Sequence, residues 1–143
     1  MALLSEHVND AKATYRIASI VGLGLAYAGT RRADVLDLLL PLVSDTTLTM
    51  EVSSMAALSL GLVFAGSCNG DIVSTILQTM MERDESVLKE SFSRMLGLGL
   101  ALLFLGRQDA ADATVETLKA IEHPLSKTVQ VMVEISAYAG KFL

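Results

Sequence analysis

Two kinds of apolar pattern alternate along the chain, and both have helical spacing. From Asp71 to Arg83, Val73, Ile76, Leu77 and Met80 follow the i, i+3, i+4, i+7 rhythm of a helix with one buried stripe. Asp71, Thr75, Gln78 and Glu82 fall on the opposite side. The same spacing over Ala33 to Val43 turns Val35, Leu38, Leu39 and Leu42 inward and leaves Asp34, Asp37 and Pro41 outside. Over Asp109 to Glu122 it buries Val115, Leu118 and Ile121 and presents Asp112 and Glu116. These three segments are predicted to be amphipathic outer helices.

The segments between them lack a polar face. Ala13 to Ala28, Met50 to Ala65, Leu88 to Leu105 and Thr128 to Ala139 are rich in apolar and small residues and are predicted to be inner helices buried on most sides. Gly22, Gly24, Gly61, Gly97 and Gly99 lie inside them, each at a cost of ~1 kcal/mol relative to alanine. Such a cost makes sense where a missing side chain lets neighbouring helices approach closely.

Self-similarity organises these elements. Gly22-Leu-Gly-Leu-Ala-Tyr-Ala-Gly29, Ser59-Leu-Gly-Leu-Val-Phe-Ala-Gly66 and Gly99-Leu-Ala-Leu-Leu-Phe-Leu-Gly106 nearly superimpose, and a fourth copy ends Ser136-Ala-Tyr-Ala-Gly140. The closing glycines are 37, 40 and 34 residues apart, the period of a helical solenoid, and each suits the left-handed position that ends a helix. Two places before each glycine stands an aromatic, Tyr27, Phe64, Phe104 or Tyr138, expected to fill the same gap between stacked units. The predicted fold is all-α: an α-solenoid of helix-hairpin repeats over about 13–49, 50–87 and 88–124, with a partial repeat at 125–143. Because the chain stops where another outer helix should begin, after Phe142-Leu143, it is expected to be a fragment of a longer protein.

Composition narrows the functional classes. The 143 residues are 52% apolar with two prolines, enough for one helical domain with a sizeable core. A net charge of −5 lacks the basic footprint that phosphate-backbone binding needs, so no nucleic-acid partner is expected. Cys68 is the single cysteine and cannot form an internal disulfide, and Met1-Ala-Leu-Leu-Ser5 runs into Glu6 rather than into an apolar signal segment. An intracellular, reducing compartment fits. Val52 to Gly70 carries no formal charge, but Ser53, Ser54, Ser59, Ser67, Asn69 and glycines interrupt it, so a short buried helix is expected rather than a membrane span.

No catalytic machinery is expected. His7 and His123 stand far apart, without ligands at metal-binding spacing, and Cys68 has no base near it in sequence. The glycines of Gly22-Leu-Gly-Leu-Ala-Tyr27 lie inside a helix with no strand before it, so they are no dinucleotide fingerprint. No cofactor, metal or enzyme activity is expected, and the chain reads as one that holds or binds other proteins.

A helix ending in Gly-Leu-Gly-Leu-Ala-Tyr-Ala-Gly, repeated at this period over nearly the whole chain, resembles the proteasome/cyclosome repeat. That family occurs in the two largest non-ATPase subunits of the proteasome regulatory particle base and in the largest subunit of the anaphase-promoting complex. Its repeats close into a toroid of two helix rings. Gly66-Ser-Cys-Asn-Gly-Asp71 with the residues after it, and Ile121-Glu-His-Pro124, resemble the branch of the smaller proteasomal scaffold.

The resemblance implies a scaffold of the cytoplasm and nucleus, partnered by other base subunits. It also implies a receptor for ubiquitin chains and for the ubiquitin-like domains of shuttle factors. The family's acidic contacts fall by position on Asp71, Gln78 and Glu82, with Gln78 departing from an expected acid. Asp34 and Asp37 before them, and Asp112 and Glu116 after them, would extend the surface, and Thr75, Met81 and Leu40 are the candidates for its apolar part. The alternative is a purely architectural segment that recognises no ubiquitin itself.

Overall fold

The computed structural model describes residues 2–8 and 12–139. Gly140 and Phe142-Leu143, which carry the fourth closing glycine and the abrupt end, lie outside the described residues. Among the described residues there are nine helices and no strand: α1 (Ala2–His7), α2 (Ala13–Ala26), α3 (Ala33–Ser44), α4 (Met50–Val63), α5 (Gly70–Glu82), α6 (Glu85–Leu88), α7 (Ser93–Leu103), α8 (Gln108–Lys119) and α9 (Pro124–Ala137). The all-α solenoid is therefore what the sequence predicts. The inner helices α2, α4, α7 and α9 pack side by side in chain order. Each outer helix leans on the inner helix that follows it, α3 on α4, α5 on α7 and α8 on α9.

The inner layer is held by missing side chains. A Cβ placed on Gly61 would lie 2.6 Å from the carbonyl oxygen of Gly99, and one on Gly99 would lie 2.4 Å from that of Ala57. The backbones of α4 and α7 thus touch directly. On Gly24 a Cβ would stand 2.8 Å from Ser59 Cα, and on Gly97 it would stand 2.4 Å from Val129 Cγ2. The Ser59 hydroxyl donates to the Ile20 carbonyl at 2.7 Å, which satisfies a buried polar group inside the α2–α4 contact. Gly22 is different, since its nearest neighbour is only the tip of the Leu4 side chain on α1, at 3.3 Å.

Turns fasten each unit to the next. Gly29, Gly66 and Gly106 take φ of 76°, 69° and 71°, the left-handed region where glycine carries no Cβ penalty. Their N–H groups leave their own helices and donate to the following inner helix: Gly29 to Leu62, Gly66 to Leu102 and Gly106 to Ser136, at 2.9–3.0 Å. Two residues later, Arg31 and Cys68 also turn left-handed, both at φ 54°, and donate to Val63 and Leu103. Carbonyls orphaned at one helix end are thereby capped by the turn of the previous unit. After Gly106 the outer helix starts at once, at Gln108, and the second left-handed residue is absent.

Several boundaries move for identifiable reasons. The third inner helix begins at Ser93 rather than Leu88, because Leu88 ends the separate short turn α6 and the Ser93 hydroxyl donates to the carbonyls of Leu88 and Glu90. The fourth begins at Pro124 rather than Thr128: proline suits the first helical position, and His123 caps it by accepting the Leu125 N–H at 2.9 Å. α8 stops at Lys119, so Ile121 lies beyond the helix and is only partly buried. The repeated aromatic is not uniformly a core residue. Phe64 and Phe104 are 5% and 3% exposed, whereas Tyr138 is 47% exposed and Tyr27 lies under the Arg32 guanidinium at 4.7 Å. A tyrosine hydroxyl needs an accessible end, which a phenylalanine does not.

Arg83 adds a clamp that no local pattern announces. From the end of α5 its guanidinium donates to the carbonyls of Asp45 (2.8 Å), Leu48 (3.2 Å) and Thr46 (3.5 Å) and to the Ser53 hydroxyl (3.1 Å). Ser53 in turn donates to the Leu42 carbonyl, so the α3–α4 loop and the end of α5 form one unit.

Two measurements of thermal unfolding check this account. Gly99→Ala forces a methyl into backbone and is expected to cost about 2 kcal/mol, while Gly22→Ala meets only a flexible side chain and gains up to ~1 kcal/mol of helix propensity. Equal effects at the two positions would contradict the close-approach reading. Arg83→Ala is expected to cost about 2 kcal/mol. Arg83→Lys should recover little of that loss, because a single ammonium cannot reach the same set of acceptors as a planar fork.

Candidate functional site

Outer helices α3, α5 and α8 present the carboxylates. Each carries an acid as its second residue, Asp34, Asp71 and Asp109, beside the partial positive charge of its own N-terminus. The local sequence explains the placement on α5: Asn69 caps the helix by accepting the N–H groups of Asp71 and Ile72. The cap points the chain so that Ile72, Ile76, Leu77 and Met80 enter the core and Asp71, Gln78, Met81 and Glu82 remain exposed. Thr75 is partly buried, its hydroxyl turned back to the Asp71 carbonyl at 2.7 Å.

The acids have different surroundings. Asp34 forms a bidentate pair with Arg32 at 2.6 and 3.0 Å, and the hydrogen bonds from that guanidinium hold its carboxyl below the usual range and raise Arg32. Asp37, one turn on, is exposed. Gln78 donates to Glu82 Oε1 at 2.6 Å, so the neutral residue at that position steadies the carboxylate beside it. Glu116 pairs with Lys119 at 2.8 Å, which raises the lysine.

The structure sorts these residues into neighbourhoods. α3 and α5 pack against each other, which brings the Asp34/Asp37 helix next to the Asp71/Glu82 helix. Asp71 and Glu82 are eleven residues apart, about 16 Å along the axis, so they mark opposite ends of one helix face. Met81 lines a groove of about 460 Å³ between the C-terminal ends of α5 and α8, with Met80, Leu88, Thr117 and Ile121. Asp112 and Glu116 line a different groove, between α8 and α9, together with Glu134 and Tyr138. Leu40 is partly buried against the core. Sequence reading missed Ile121 as a surface residue, because the helical spacing continued past the real end of α8, and missed Arg83, whose partners lie 30–38 residues earlier. Arg32 carried no pattern signal either.

The surface carries exposed carboxylates on three outer helices and a groove whose lining mixes Met80, Met81, Leu88 and Ile121 with Arg83, Glu85, Glu122 and His123. Among the described residues no group of three or more His, Cys, Asp or Glu could hold a metal ion, and no helix is long and apolar enough to cross a membrane. Cys68 is a partly buried thiol in a turn, and His123 is a helix cap.

Comparison with known proteins accounts for the repeat. The sequence profile of the proteasome/cyclosome repeat matches residues 18–52 and 55–87. The chain is 57% identical over 115 residues to the 26S proteasome regulatory subunit rpn1 of Schizosaccharomyces pombe, a match covering 80% of this chain and 13% of that protein. It is 46% identical over 140 residues to the 26S proteasome non-ATPase regulatory subunit 2 of Dictyostelium discoideum, covering 98% of this chain and 16% of that protein. With homolog A of the same subunit in Arabidopsis thaliana it shares 35% identity over 100 residues, 70% of this chain and 11% of the relative. The chain thus spans well under a fifth of the length of the relatives it matches. On this similarity, and on a fold of glycine-closed helical repeats that agrees with it, the chain belongs to the proteasome/cyclosome-repeat family of 26S proteasome regulatory subunits represented by Rpn1, the non-ATPase regulatory subunit 2.

Proposed function

We propose that this segment serves the 26S proteasome regulatory particle as a non-catalytic scaffold and, through α3, α5 and α8, as a receptor surface for ubiquitin chains and for the ubiquitin-like domains of shuttle factors. Its other partners are base subunits of the same particle, and its compartments are cytoplasm and nucleus. One observation carries the receptor reading: exposed Asp71 and Glu82 flank a helix whose remaining surface offers Met81 beside the Ile121 groove. Ubiquitin's recognition patch is apolar with a basic surround, and an acidic helix with one exposed thioether complements both parts.

The physics of such a contact is steering with modest affinity. Exposed carboxylates attract a basic partner over about a Debye length, ~8 Å at physiological salt, and lose that pull as salt rises. The apolar part is one flexible methionine and the rim of a shallow groove, which adapts to its partner and holds it weakly. Several such contacts on one polyubiquitin chain raise avidity through effective concentration and still permit release.

An amide-resolved NMR titration with monomeric ubiquitin, at low and high salt, tests the proposal. Shifts are expected on Asp34–Leu40, Asp71–Glu82 and Asp112–Glu116 and around Met81 and Ile121, weakening as salt rises. Asp71→Lys combined with Glu82→Lys should weaken binding by about tenfold, since each reversed exposed charge is worth up to ~1 kcal/mol. A folded chain that shows no shifts at millimolar ubiquitin would leave the purely architectural role.

A further inference from the structure

Each outer helix carries an acid as its second residue, and the residue two places before that acid is the helix cap. The pairs are Arg32 with Asp34, Asn69 with Asp71 and Arg107 with Asp109. Whether the acid is free to meet a partner turns on what the cap does.

On α5 the cap turns inward. The Asn69 side chain accepts the N–H groups of Asp71 and Ile72 at 3.1 and 3.2 Å, and the exposed Asp71 carboxylate has no side-chain partner among the described residues. On α8 the cap turns away: Arg107 Nε donates to the Gly66 carbonyl at 3.0 Å, back on the previous turn, and leaves the Asp109 carboxylate without a partner among the described residues.

On α3 the cap closes over the acid. Arg32 caps no backbone group; its Nε and Nη2 donate to the two Asp34 oxygens at 3.0 and 2.6 Å, and the Val35 N–H takes a further site on Oδ1 at 3.0 Å. Three of the roughly four lone-pair sites of that carboxylate are thereby filled. The guanidinium is itself held from behind, since it lies 4.7 Å from the centre of the Tyr27 ring, and Tyr27 packs against the core. Lys119 on Glu116 differs, being an exposed point charge on a flexible stem that a partner can displace.

We infer that Arg32 is a specificity-determining residue of the outer surface: braced on Tyr27, it withdraws Asp34 from a partner's cations, so a basic partner is drawn to Asp37 and α5 rather than to the start of α3. The inference rests on the receptor reading for the identity of the partner, and on the Arg32–Asp34 geometry alone for the masking. A fixed bidentate pair has no net charge to offer, and an incoming lysine or arginine would meet the guanidinium before the carboxylate.

NMR titrations of the native chain and three variants, with ubiquitin and separately with a tetralysine peptide, test this. Arg32→Asn, which installs the cap that α5 already uses, should bind both probes about threefold tighter than the native chain, with a steeper loss as salt rises. Arg31→Asn removes the same charge one place earlier, from an exposed side chain with no polar partner among the described residues, and should gain less. Adding Asp34→Asn to Arg32→Asn should abolish the gain. The Asp34 carboxyl should also protonate at higher pH in Arg32→Asn, because the hydrogen bonds from the guanidinium that hold it low are gone. Equal gains from Arg31→Asn and Arg32→Asn, or a gain that survives Asp34→Asn, would overturn the inference. A chain that follows this series with tetralysine and shows no shifts with ubiquitin would uphold the masking and overturn only the receptor reading.

Discussion

Gly61 on α4 and Gly99 on α7 bring two helix backbones into direct contact, and the layout of the molecule depends on that approach. Helices that meet through leucines stand about 8–10 Å apart; removing the side chains at the crossing lets them sit closer and places carbonyls beside Cα atoms. Glycine's cost in helix propensity is offset there by dense packing and by the exclusion of water from a layer that is apolar on nearly all sides. Ser59 shows the limit of what the layer accepts: a hydroxyl fits because it donates at once to the Ile20 carbonyl.

The same approach explains how the repeats communicate. Since the inner helices are parallel neighbours, the turn that leaves one comes within hydrogen-bonding distance of the end of the next. Gly29, Gly66 and Gly106 each exploit that distance, and the left-handed Arg31 and Cys68 extend it. The outer helices inherit their positions from these turns, with Arg83 tying the far end of α5 to the loop before α4. The C-terminal half of α5 is thus tied to the end of α3, where Thr79 also donates to the Val43 carbonyl, while the turn entering α5 is tied to α7 through Gly66 and Cys68.

Division of labour follows from solvent. The inner helices carry five charged residues, Arg16, Glu51, Arg94, Lys127 and Glu134, none of them buried, and their packed core specifies the architecture, whereas the outer helices carry Asp34, Asp37, Asp71, Glu82, Asp112 and Glu116 at little cost to the fold. Charges on an exposed helix face contribute little to stability, which leaves them available to a partner. Membership of the regulatory-subunit family agrees with this arrangement, in which the repeat builds the frame.

The sequence by itself determined the helical class, the inner and outer alternation, the closing glycines and the exposure of Asp71, Gln78 and Glu82, because each follows from spacing within one helix. It also pointed to the close approaches at Gly24, Gly61, Gly97 and Gly99, since an interior glycine has few other uses. Only the tertiary structure decided what depends on distant residues. It broke the third inner helix at Ser93, placed Arg83 on carbonyls 35–38 residues away, put Met81 beside Ile121 and turned Asp112 and Glu116 toward α9. The physical reason is that helix periodicity reports which way a side chain leaves its own axis, whereas the neighbour it meets is set by how separate axes pack, and that is decided jointly by residues far apart in the chain.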